Sequence, residues 1–120
     1  MLRIVLVLCT LAGLSAGLAL ADEDAVHCDI RFEKSGGLTT ITGLAGGKAG
    51  LAGRYRLDAQ IVNGSNRSLS RQGGAFVIES DGGPSIVSRM AVSAAPRARI
   101  EVELRLESGA ENATCRSTTL

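Results

Sequence analysis

The chain has 120 residues, with 13 Lys and Arg against 12 Asp and Glu, three cysteines and no Trp. That length holds one domain, and the near-neutral balance argues against both the basic footprint of a nucleic-acid binder and a strongly acidic partner tail. Tyr55, Phe32 and Phe76 are the only aromatic residues, too few for a base-stacking surface, which needs several rings on one face.

Arg3 supplies a short positive start, and Ile4 to Leu20 form an apolar run broken only by Thr10, Gly13, Ser15 and Gly17. Ala19-Leu20-Ala21 then offers the small-x-small pattern that a signal peptidase reads, so residues 1–21 are predicted to be a signal peptide cleaved after Ala21. An uncleaved anchor is the alternative, although the run is marginal for a bilayer span of about 20 residues. Cys9 follows Leu8 where a lipoprotein needs a small residue, and it is lost with the signal. What remains has 12 basic and 12 acidic side chains and no expected membrane association.

Residues 22–27 read as a flexible N-terminal segment and residues 28–118 as the folded domain. His27, the single histidine, falls just before the first strand and reads as solvated. With no second His and no CxxC spacing, the chain offers no metal set or cofactor site, and no positioned base for triad chemistry.

Along the domain the apolar period is two. Cys28, Ile30 and Phe32 alternate with Asp29, Arg31 and Glu33, a first strand with its cysteine facing inward. Leu38 to Leu44 is a weaker second strand. The Gly-rich run from Gly43 to Gly53 contains Lys48 but lacks the GK[ST] ending and following helix of a phosphate loop, so it reads as a flexible loop. From Gly53 to Val62, Tyr55, Leu57, Ala59 and Ile61 face inward, with Arg54, Arg56, Asp58 and Gln60 outward. Asn63-Gly64 predicts a hairpin into a weaker strand, Arg67 to Gln72, where Leu69 is the only apolar side chain. Gly36-Gly37, Gly46-Gly47, Gly73-Gly74 and Gly82-Gly83 read as breaks, and Asp81-Gly82-Gly83-Pro84 as a strong turn. Pro84 to Val92 is another weak strand. Arg97 to Glu107 is the clearest one: Ala98, Ile100, Val102, Leu104 and Leu106 alternate with Arg99, Glu101, Glu103 and Arg105. Ala113 to Thr118, carrying Cys115, closes the series.

About seven short strands, frequent turns and no helical face predict an all-β domain, an immunoglobulin-like antiparallel β-sandwich. A small barrel fits the same pattern. An exported chain left with two cysteines has one internal pairing, Cys28 with Cys115, which ties the first strand to the last. Sequons at Asn63, Asn66 and Asn112 matter only as glycan sites in a eukaryote.

Glu101 and Glu103 alternate with core residues beside Arg99 and Arg105, so they read as an ion-pair ladder and not as a glycosidase pair. The informative residues are the outward arginines. Arg54 and Arg56 lie on one central strand, and Arg97, Arg99 and Arg105 on another; in an immunoglobulin-like topology the third and sixth strands are neighbours. That juxtaposition predicts a basic face laced with Asp58, Glu101 and Glu103. It serves either as solubilising cross-strand ion pairs or as a protein-binding face, where arginines make charge-assisted contacts with carboxylates or peptide carbonyls.

Four features in order, Gly53-Arg54-Tyr55-Arg56-Leu57, Gln72-Gly73-Gly74-Ala75-Phe76, the run from Arg99 to Ser108, and the terminal cysteine pair, resemble the CsgH family. Those proteins are periplasmic curli-assembly inhibitors of alphaproteobacteria, related in function to CsgC of enteric bacteria. The resemblance covers about Cys28 to Arg116. It implies a periplasmic, monomeric, non-enzymatic sandwich that keeps an exported curli-type amyloid subunit from polymerising early. CsgC carries a Cys-x-Cys pair, whereas Cys28-Asp29-Ile30 has no second cysteine, so no redox role carries over. Contact with the subunit would run through the Arg-rich face or through an exposed strand edge such as Arg67 to Gln72. Two other classes fit a secreted β-sandwich: a structural or adhesive module, and a hydrolase inhibitor presenting the Gly43 to Gly53 loop.

Overall fold

The structure, a computed structural model, describes residues 25–79 and 83–119. The predicted signal peptide, residues 22–24 of the predicted flexible segment and the Asp81-Gly82 part of the turn before Pro84 lie outside the described residues. The described residues form seven strands in two sheets. The first has the order β1 (His27–Ser35), β2 (Leu38–Gly46), β5 (Ser85–Ser93). The second has the order β4 (Asn66–Val77), β3 (Ala52–Asn63), β6 (Arg99–Ser108), β7 (Glu111–Thr118), and every pairing is antiparallel. Among the described residues no ladder joins the two sheets, so the fold is a sandwich and not a closed barrel. In the constant-type immunoglobulin arrangement the fourth strand joins the sheet of the first, second and fifth. Here it stays with β3, because a tight turn leads from one 12-residue strand straight into another.

Three hairpins share one turn chemistry. Gly36-Gly37, Gly64-Ser65 and Gly109-Ala110 are two-residue connections whose first residue is a glycine, at φ of 64°, 64° and 61°. Positive φ at the first central position is the type II′ requirement, and the twist of that turn matches the twist of the strands it joins. The Asn63-Gly64 signal thus marks a hairpin as expected.

Two glycine-rich stretches depart from their expected roles. β2 runs through Gly46, and Gly43 to Gly47 are buried, so the connection is residues 47–51 and not the longer flexible loop from Gly43 to Gly53 that the composition predicts. Gly43 faces inward where a Cβ would come within 3.2 Å of both Leu57 and Leu104; the glycine lets the sheets approach. Gly73-Gly74 is no break either, since β4 continues past it, paired with Arg56 and Tyr55. The N-terminal reading is also corrected at its last residue. His27 begins β1 opposite Gly46, its ring covering the glycine, and Val26 before it is buried in the core.

Alternation places Leu57 and Ala59 of β3, and Ile100, Val102, Leu104 and Leu106 of β6, against Ile41, Met90 and Val92 of the facing sheet. Ile41, Leu57, Ile78, Ile100, Leu104 and Leu106 are fully buried. The two lateral seams of the sandwich differ. On one side the Cys28–Cys115 disulfide joins β1 to β7, with Cα atoms 6.0 Å apart. On the other, β4 and β5 meet through the Ser88 hydroxyl, which donates to Gln72 Oε1 at 2.5 Å.

Candidate functional site

Register decides what the outer face of the four-stranded sheet presents, because directly opposite residues share a face. Reading across β4, β3, β6 and β7, one row is Gly73, Arg56, Arg105, Thr114. The next is Arg71, Asp58, Glu103, Arg116, and beyond it lies Leu69, Gln60, Glu101, Thr118. Arg54 sits between Ala75 and Glu107, and Arg99 opposes Val62. The face thus unites Arg54, Arg56, Arg99 and Arg105 as the strand pattern predicts. Arg97 does not join them. β6 begins at Arg99, and Arg97 lies exposed in the preceding turn, closed by Ala98 N–H to Ala95 C=O at 2.9 Å; Pro96 sits inside that turn, where no strand continues.

Two arginines missing from the sequence reading complete the arrangement. Arg71 reaches Asp58 from β4 at 3.5 Å, and Arg116 reaches Glu103 from β7 at 2.7 Å. Hairpin arithmetic would have found both. A two-residue turn at Gly64-Ser65 forces Asp58 opposite Arg71, and one at Gly109-Ala110 forces Glu103 opposite Arg116.

Asp58 and Glu103 are themselves direct neighbours, as are Arg56 and Arg105. Such like-charge pairs destabilise a sheet unless other charges separate them. Here each carboxylate is flanked by two guanidiniums: Arg56 (3.4 Å) and Arg71 serve Asp58, while Arg105 (2.8 Å) and Arg116 serve Glu103. Arg99 pairs with Glu101 at 3.0 Å. The hydrogen bond from Arg116 holds the Glu103 carboxyl below its ordinary range; burial opposes this, and the charge and hydrogen bond of Arg105 reinforce it. Arg54 makes no ion pair among the described residues.

Because Gly73 raises no bulk on β4, an open recess of about 330 Å³ forms beside it, lined by Arg54, Arg56, Arg105 and Glu107. A second open groove, about 440 Å³, lies over Asp58 and Glu103, with Leu69 on its wall. Among the described residues no group of three His, Cys, Asp or Glu is placed to bind a metal.

No protein-family model and no curated protein sequence matches the chain. Comparison of folds is informative. The chain superposes on the solution structure of CsgH from R. palustris with a TM-score of 0.66, over 76% of this chain and 89% of that one, at 23% identity. It shares the CsgH fold. The E. coli curli protein CsgC matches with a TM-score of 0.61 at 13% identity, over 77% of this chain and 97% of that one. What this chain has in common with CsgH at so low an identity is the architecture that carries the arginine face.

Proposed function

We propose that the chain is a non-enzymatic, exported inhibitor of amyloid assembly, which meets a curli-type subunit in the periplasm and keeps it from polymerising. The carrying observation is the arginine surplus on one sheet face. Arg54, Arg56, Arg67, Arg71, Arg99, Arg105 and Arg116 share that face with Asp58, Glu101, Glu103 and Glu107. A flexible subunit meets such a surface in transient contacts between guanidiniums and its carboxylates or peptide carbonyls, needing neither a deep pocket nor chemistry. The shared fold with CsgH and with a curli protein, together with the sequence resemblance, supports this assignment. The hydrolase-inhibitor reading loses its protruding loop, since residues 43–46 belong to β2.

The test is Arg54→Glu with Arg56→Glu. Arg54 has no ion pair among the described residues and the Arg56 bridge is exposed and 3.4 Å long, so folding stability changes by less than about 1 kcal/mol. Dye fluorescence of a curli-type subunit should show a shorter lag with the double mutant than with the unmodified protein, and the difference should shrink with added salt. Equal inhibition by a folded double mutant removes this face from the mechanism.

A further inference from the structure

The seam without a disulfide leaves a strand edge bare. Among the described residues β4 is paired on one side only, with β3. Its two-residue turn, and the bond from Ile78 N–H to Leu51 C=O at 2.8 Å, set the parity of the ladder. Even-numbered residues from Asn66 to Phe76 turn their backbone groups to β3. Arg67, Leu69, Arg71, Gly73, Ala75 and Val77 therefore aim theirs at the free edge, with their side chains on the outer face. Leu69 and Val77 are 53% and 55% exposed, unusually open for large apolar side chains.

This edge is self-complementary about Gly73. With a second β4 laid antiparallel and Gly73 against Gly73, Arg71 falls opposite Ala75, and Leu69 opposite Val77. Arg67 falls opposite Glu79, an exposed residue just past the strand. Each of the strand positions aims at the edge in both copies, so every pair exchanges two backbone bonds. The N–H of Glu79 is already given to Ser85 Oγ at 3.0 Å, so Glu79 contributes only its carboxylate. Two-fold registers shifted toward the start of the strand are worse: one centred on Leu69 opposes Arg67 to Arg71, and one centred on Arg71 opposes Arg71 to itself.

We propose that β4 pairs with β4 of a second copy in this register, extending the sheet across a two-fold axis in place of the monomer expected from sequence. Closed symmetry makes the contact isologous and self-limiting, which distinguishes it from the open-ended strand addition of a fibril. The two arginine recesses, each abutting Gly73, then join into one trough across the axis. With little apolar area beyond Leu69 and Val77, the contact belongs to the weak class and forms at about 100 µM.

Sedimentation equilibrium of the purified protein from about 10 µM to about 1 mM reads this directly. A monomer–dimer equilibrium is expected, with Arg67→Glu raising the dissociation constant about tenfold and Leu69→Lys doing the same or more. Combining Arg67→Glu with Glu79→Arg should restore the dimer, an outcome that no loss of folding imitates. A protein that stays monomeric at about 1 mM overturns the proposal and leaves the edge to a strand from another protein. A dimer indifferent to Leu69→Lys and to the charge exchange overturns it as well, because the contact then lies on another face.

Discussion

Breaking the Cys28–Cys115 disulfide should cost much stability without abolishing the fold. The bond spans a sequence separation of 87 residues, for which the chain-entropy relation gives about 4.5 kcal/mol at 25 °C. Little native structure depends on it directly, since β1 keeps its full register with β2 and β7 its own with β6. Reduced protein, or Cys28→Ser with Cys115→Ser, should remain folded while losing about 3–4.5 kcal/mol. For a domain of this size that is a drop of roughly 15–30 °C in Tm. Urea unfolding of the oxidised and reduced forms is the assay. The midpoint should fall and the slope should rise, because the uncrosslinked unfolded chain exposes more surface. A loss below about 1 kcal/mol refutes the reasoning. So does a reduced chain unfolded in plain buffer, which would mean that the seam and not the core holds the sheets together.

Other perturbations test the core and the charged face. Leu104→Ala empties a fully buried site facing Gly43 and should cost about 3–4 kcal/mol in denaturant unfolding. Gly53→Ala should cost about 2 kcal/mol or more by the same measurement, because its Cβ would collide with the Glu107 carbonyl and push β6 from β3. The native carboxyl of Glu103 titrates below its unfolded counterpart, so its contribution is complete above about pH 4.3 and fades as pH falls through the lowered native value. Between about pH 5 and pH 3 the unmodified protein should therefore lose more stability than Glu103→Gln, and parallel acid profiles would show that Arg116 does not hold that carboxylate.

The dry and wet faces of the two central strands, β3 and β6, were legible from alternation. From Arg54 to Ile61 and from Arg99 to Leu106, alternation alone assigns both faces correctly, and the adjacency of β3 and β6 follows from the sandwich topology. The weaker pattern of β4 has a physical cause. It is an edge strand whose inner positions include Ser68, Ser70, Gln72 and Gly74, so its length and the role of Arg71 did not register as periodicity. The glycines misled for a related reason. Composition marks glycine as a breaker, but Gly43 serves close packing between sheets and Gly74 makes room for the ring of Tyr55, uses visible only in three dimensions. The alternation of β6 extends on paper back to Arg97, but the turn closed between Ala95 and Ala98 holds that residue, so it lies outside the sheet.

The order of strands also sets when this chain can fold. β1 with β2, and β3 with β4, are local hairpins, while β2–β5 and β3–β6 join residues far apart in sequence. Isolated two-stranded hairpins are at best marginally stable in water. A chain emerging from its N-terminus therefore holds only two separate hairpins until β5 arrives, and the larger sheet has no centre until Arg99 to Ser108 is free to zip against β3. Folding waits for nearly the whole polypeptide, and the slow step is the long-range pairing of β3 with β6, whose loop closure must precede the contacts that reward it.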